Sequence, residues 1–247
     1  MKISWLLMVW GLCACPTACS AVELEDIHQK FPAAEVKEIV LETIDSSIEI
    51  AALPKDSIEV AVSSSNRQAF HWDMDVKEGA LLVKENKSTE PVTGRNEDCR
   101  VAVSLSTTAA VRIRSVSGSV KIAGVSQGIF VETASGRIEA DLSGGDASIK
   151  TTSGKTLLKG LSGVLSHQGI SGSLDAQWSK VPETGESLVG TVSGNMYLTF
   201  PPKTKLAWDF HGMGGRVRQK DFESDPTAKF FVKAHSLSGN FSLIKAP

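Results

Sequence analysis

The sequence predicts an all-β chain folded as a single-stranded β-solenoid, either a right-handed parallel β-helix or a flattened two-sheet variant of one. The first observation is a recurring phrase in which alternating apolar and polar residues flank a Ser-Gly pair. IFVETASGRIEADL at 129–142 is one copy, and VRIRSVSGSVKI, ASIKTTSGKTLL and LVGTVSGNMYL are others. The second is spacing: from Ser117 to Ser171 the pairs are 18, 8, 10, 9 and 9 residues apart, a unit of about nine residues or of eighteen when doubled. The third is composition, with 6% aromatic residues, 21 glycines in 247 residues and few windows of helical periodicity.

The N-terminus is a separate element. MKISWLLMVWGLCACPTACSAVELED carries one basic residue, Lys2, then an apolar run from Ile3 to about Ala14 and a group of small residues, the layout of a secretory signal peptide. The run is short of the roughly 20 residues a spanning helix needs. Two exits are open. Leu12-Cys13-Ala14-Cys15 has the Leu and Ala of a lipobox, which makes 1–14 the signal and Cys15 the lipidated first residue. Alternatively, cleavage follows Ala21, making 1–21 the signal. Any membrane tie is then expected only through a lipid anchor at Cys15. Residues 22–35 read as a linker and 36–247 as the solenoid domain.

Charge and cysteine content narrow the function classes. The formal net charge is −2, and removal of 1–21 leaves 25 basic and 28 acidic residues, which argues against a nucleic-acid partner. Three of the four cysteines lie in or beside the leader, so there is no disulfide framework. Cys99 is able to pair with Cys19 if Cys15 starts the mature chain, and otherwise stands alone; the expected state is a lone buried thiol packing as a small apolar group.

Within the repeat, Val131, Thr133, Ile138, Ala140 and Leu142 take one parity and Glu132, Arg137, Glu139 and Asp141 the other, as in strands with one buried and one wet face. Glycine tolerates the positive φ of a tight corner. The corner residues are therefore Ser117, Gly118, Ser135, Gly136, Ser153, Gly154, Ser193, Gly194, Ser238 and Gly239. One unit buries too little to fold alone, so the units must stack. Ile44-Asp45-Ser46-Ser47-Ile48 repeats the pattern with Ser-Ser, and Met196–Phe200 stops at Pro201-Pro202. The stretch Arg67 to Asp98 departs from the pattern.

Together the Val-x-Ser-Gly-x-Val repeats, the opening Ile-Asp-Ser-Ser-Ile-Glu-Ile, the Leu-Pro-Lys turn at 53–55 and the closing Phe-Pro-Pro and Leu-Ser-Gly-Asn-Phe resemble the DUF4097 family of bacterial envelope proteins, also labelled adhesins. The similarity spans about residues 36 to 244. It implies a β-solenoid on an exported or envelope-anchored protein, in the periplasm or at the cell surface, and it supplies no catalytic residues.

No chemical constellation rises above this scaffold. Phe210-His211-Gly212-Met213-Gly214-Gly215-Arg216 lacks the Lys-Ser/Thr of a phosphate-binding loop and reads as a turn. His28, His71, His167, His211 and His235 have no metal-ligand spacing, and no metal or cofactor is expected. Glu132, Glu139, Asp141 and Asp146, with Arg112, Arg114, Lys121, Arg137, Lys150, Lys155 and Lys159, fall on outward positions. They read as one wet face of mixed sign, able to contact a glycan or polyanion. The expected function is a non-enzymatic adhesin-like or envelope scaffold protein with an unidentified protein or glycan ligand. The alternatives are an envelope stress-response accessory protein and a polysaccharide-acting β-helix enzyme with clustered carboxylates.

Overall fold

The computed structural model describes residues 25–64, 70–87, 99–106 and 108–247. The leader, with Cys13, Cys15, Cys19 and both cleavage points, lies outside the described residues, as does the polar stretch 88–98. Among the described residues twenty strands, numbered β1 to β20 in chain order, account for nearly all regular structure.

The strands form two stacks joined through β2 (Glu38–Leu53), whose first half belongs to one and second half to the other. Sheet I runs, in spatial order, β1 (Glu25–Pro32), β3 (Ser57–Ser64), β6 (Cys99–Ser106), β2, β8 (Val120–Ala123), β10 (Ile138–Asp141) and β12 (Lys155–Leu161). It continues through β14 (Ser173–Trp178), β16 (Met196–Phe200), β20 (Phe241–Lys245) and β18 (Val217–Lys220). Sheet II runs β4 (Phe70–Lys77), β5 (Ala80–Lys87), β2, β7 (Ala110–Ser117), β9 (Ile129–Ser135) and β11 (Ala147–Ser153). It ends with β13 (Leu165–Ser171), β15 (Gly185–Ser193), β19 (Phe230–Ser236) and β17 (Ala207–Gly212). Of the two expected variants this is the flattened one: each coil gives one strand to each sheet, and neighbouring coils pair in parallel.

One coil is the doubled unit. Val120, Ile138, Thr156 and Leu174 are register partners at successive steps of 18 residues. The Ser-Gly pairs at 117, 135, 153, 171 and 193 make one corner of the coil, between its sheet II and sheet I strands. Those at 143 and 162 lie at the opposite corner, which explains the nine-residue half-steps.

Both ends depart from simple winding. At the N-terminal end β5 and β6 form a coil outside β2, and β1, β3 and β4 add in antiparallel sense. β1 occupies part of the stretch read as a linker. At the C-terminal end β19 and β20 slot between β15/β16 and the outermost β17/β18.

The core lies between the sheets and follows the alternation. Leu41, Ile113, Val131, Ile149, His167 and Val189 form one inward column, continued by Ala234 and Phe210. Of the first six all are aliphatic except the fifth, His167. The next inward column is hydroxylic: Thr43, Ser115, Thr133, Thr151, then Gly169, Thr191 and Ser236. Ser115, Thr133 and Thr151 each donate to the carbonyl two residues on, at 2.7, 2.9 and 3.0 Å, so buried hydroxyls help to hold the corner. Toward the C-terminal end the core turns aromatic. Trp178 stacks on Phe200 at 4.5 Å, with Phe230 edge-on to both.

Gly118, Gly136, Gly154, Gly172, Gly194 and Gly239 also stack. A Cβ on any of them would fall inside the carbonyl oxygen of the preceding corner, beginning with that of Ser46. Close backbone approach thus adds to positive φ, which holds from Gly118 to Gly194, in excluding side chains. Gly215, from the loop rejected for phosphate binding, meets the carbonyl of Gly239 in the same way, making that loop the corner of the outermost coil.

Cys99 is a free, buried thiol at the start of β6, and burial pushes its pKa up.

Candidate binding faces

The charged residues expected on one wet face divide between the outer surfaces of the two sheets. Lys121, Arg137, Glu139, Asp141, Lys155 and Lys159 lie on β8, β10, β12 or their entries in sheet I, whereas Arg112, Arg114, Glu132 and Lys150 lie on sheet II. Asp146 is at a turn, where its carboxylate accepts the Val164 amide at 2.8 Å. The carboxylates that adjoin in sequence therefore do not share a groove, apart from Glu139 and Asp141.

On sheet I the strands β6, β2, β8, β10 and β12 hold a trough of about 550 Å³. Its floor is Ala51, Ala102, Ala123 and Ser104, and its rims are Glu49, Lys121, Glu139, Asp141 and Lys159. Every floor position is an outward strand position, where alternation normally puts a long polar side chain. Shortening them to Ala or Ser on three adjacent strands opens the depression.

The rim charges differ in freedom. Glu49 is bound by Arg100 and lies 3.9 Å from Lys121, and the Arg100 hydrogen bond is the main reason its carboxyl titrates below the usual range. Glu139 is bound by Arg137. Asp141 and Lys159 are register neighbours, yet neither has an ion-pair partner within 4 Å among the described residues. The trough thus ends in one anionic and one cationic group, both available to a ligand.

Two of the outward columns of sheet II stand out by their composition. One alternates in sign: Lys84, Glu42, Arg114, Glu132, Lys150. Glu42 lies 3.8 Å from Lys84 and 3.6 Å from Arg114, which lies 3.9 Å from Glu132. The other runs one residue before the corner position of each coil, which is serine in six coils, Asp45 in the first and Gly214 in the outermost. It contains Ile44, Val116, Ile170, Val192, Leu237 and Met213, with Ala134 and Thr152 completing eight coils without a charge. Val116, Ile170, Val192, Leu237 and Met213 are 56, 54, 45, 49 and 88% exposed, so these are surface side chains that happen to be apolar.

Reading the repeat as scaffold missed both surfaces, although the signals are present. At the corner that carries Ser117, Ser135, Ser153, Ser171, Ser193 and Ser238 the residue before Ser-Gly has outward parity and is apolar or Thr each time, whereas Leu142 and Leu161, before the pairs of the opposite corner, are buried. The trough floor is harder to find, because Ala51, Ala102 and Ala123 come from strands brought together only by the out-of-order packing of β6 against β2.

The remaining singled-out residues are dispersed. His71 lies 3.5 Å from Asp73 on β4, and His211 lies 2.8 Å from Asp209 on β17; all four side chains are largely exposed. His167 is buried, and among the described residues no group of three or more His, Cys, Asp or Glu is placed to hold a metal. The expected lipidation residue, Cys15, lies outside the described residues.

No protein-family model matches the chain, and no curated protein matches it in sequence. Solved structures do resemble it in fold. A candidate adhesin from Bacteroides fragilis NCTC 9343 is 11% identical, with 90% of this chain and 97% of that chain covered and a TM-score of 0.48. A candidate cell adhesion protein from Clostridium sporogenes ATCC 15579 is 8% identical over 91% of this chain and 100% of that one, with a TM-score of 0.42. A candidate adhesin from Parabacteroides distasonis ATCC 8503 is 12% identical over 90% and 98%, with a TM-score of 0.41.

Proposed function

We propose that this chain is an exported, non-enzymatic interaction protein of the cell envelope or cell surface, and that the sheet I trough is where it holds its ligand. The observation that carries the reading is the run of Ala51, Ala102, Ala123 and Ser104 at outward positions, bordered by the free charges of Asp141 and Lys159. A floor of methyl groups crossing adjacent coils suits an extended chain laid across the strands, with a cationic group of the ligand at Asp141 and an anionic group at Lys159. No aromatic side chain lines the trough. Sugar rings favour aromatic platforms, so a polypeptide segment of mixed charge is the better fit than a glycan.

The test is binding of the purified chain to a displayed library of random peptides and, in parallel, to a glycan array. Each is repeated with Ala123→Trp, which fills the floor, and with Asp141→Ala/Lys159→Ala. Peptides enriched by the native chain and lost with both variants support the reading. Enrichment that survives both, or binding confined to the array, overturns it.

A further inference from the structure

We propose that the aliphatic column beside the Ser-Gly corner is the face on which a second copy of this chain docks, antiparallel, about a twofold axis. The inference is independent of the trough, which lies on the other sheet.

The column is regular in a way that selects its partner. Its eight residues sit one per coil, so they repeat at about 4.8 Å over roughly 34 Å. Aliphatic side chains at that spacing leave gaps of the same period, and tight packing needs a facing surface with a matching period. A second copy has it by construction: a half-step shift seats each side chain between two of the partner's. A helix, whose rise and turn follow other periods, would match at only two or three positions.

The flanks allow the approach. On one side lies the alternating column, whose members from Lys84 to Glu132 pair with one another at 3.6–3.9 Å, leaving little like-charge repulsion between copies. On the other lie the corner serines, a polar rim whose one charge is Asp45 of the first coil, at the end of the column and hydrogen-bonded by Ser117. With one flanking column on each side the face is about 20 Å wide, about 700 Å² per partner, close to the roughly 800 Å² of a standard specific interface. A twofold arrangement is also closed, so it ends at a dimer.

The axis predicts which residues meet. In the order Ile44, Val116, Ala134, Thr152, Ile170, Val192, Leu237, Met213, the midpoint falls between Thr152 and Ile170. Ile170 of one copy therefore lies near Ile170 of the other, whereas the two Met213 side chains are about 30 Å apart.

Sedimentation velocity of the purified chain between about 1 and 100 µM is expected to show a dimer. Ile170→Lys/Val192→Lys is expected to be monomeric at every concentration, with unchanged circular dichroism and melting temperature because both sites are exposed. Under mild oxidation Ile170→Cys should give an intermolecular disulfide in high yield and Met213→Cys should not. A native chain that stays monomeric to 100 µM, a double-lysine variant that remains dimeric, or equal cross-linking at 170 and 213 would overturn the proposal.

Discussion

Gly154 and His167 show how much a single position can carry in a stacked fold. Gly154 combines φ of 131° with a backbone carbonyl where its Cβ would stand, so Gly154→Ala must strain the corner and push two coils apart. We expect a loss of about 2–4 kcal/mol in urea denaturation, at the upper end for point substitutions. Ser153→Ala beside it removes only one 3.5 Å bond to the Ala134 carbonyl and should cost under about 1 kcal/mol. His167 is 4% exposed and, among the described residues, neither ring nitrogen has a side-chain hydrogen-bond partner, while burial lowers its pKa from 6.5 to about 4. Its register neighbours Ile149 and Val189 are aliphatic, and the inward residues of the flanking strands β12 and β14, Thr156, Leu158, Leu174 and Ala176, carry no charge. Between pH 6.5 and 4 the unfolded chain binds a proton that the folded chain refuses. Its contribution is therefore complete above 6.5 and falls, by about 3 kcal/mol, as the pH drops toward 4. His167→Val, which restores the aliphatic type of its column, should flatten that part of the pH–stability curve measured at pH 7, 5.5 and 4.5. The inward parity of His167 was legible in the sequence, but not the lack of a side-chain partner, which depends on residues 18 and 22 positions away.

At the scale of the strand, the open end of the hydroxyl column is closed by a carboxylate. Glu85 on β5 is 4% exposed and accepts from the Ile44 amide at 2.8 Å and the Ser46 hydroxyl at 2.9 Å. It takes up at the last corner the donors that another coil's backbone would otherwise receive. Glu85→Ala should leave both unmet, cost about 2–3 kcal/mol and expose the Ile44 amide to hydrogen exchange before the middle of the stack; Glu85→Gln should retain part of the protection. The ladder from Lys84 to Glu132 makes the opposite expectation. Its members are one-third to one-half exposed, so Arg114→Ala should change stability by less than about 1 kcal/mol, and less still in 0.5 M salt. The strands of the regular repeat were readable from period-two alternation, as β7 to β12 attest. β4 and β5 were not, because their strongly polar outer face, His71, Asp73 and Asp75 against Lys84 and Asn86, hides the inward Leu81 and Val83.

For the whole molecule the 18-residue coil is the unit that can be removed. Deleting Ile129–Asp146 places Ala147 where Ile129 pairs with Val111, and Thr156 where Ile138 pairs with Val120, so every inward residue stays inward. Such a chain should unfold cooperatively at a lower denaturant midpoint. A deletion one residue shorter, 129–145, turns one strand's side chains over and should give no cooperative transition by circular dichroism. The coil length was visible in the spacing of Ser-Gly pairs; the order of stacking was not, since nothing local in β6 or β19 declares which coil it will lie beside. That order has a bearing on descent. From β7 to β16 the chain adds coils in the sequence in which it is synthesised, and a duplicated segment can be spliced in without disturbing its neighbours. At the two ends, where β2 lies beneath β5/β6 and β19/β20 beneath β17/β18, an added coil would have to be threaded between strands already joined. Length in this architecture is therefore inherited as a variable of the middle, in whole turns, while the terminal assemblies pass on unchanged or not at all.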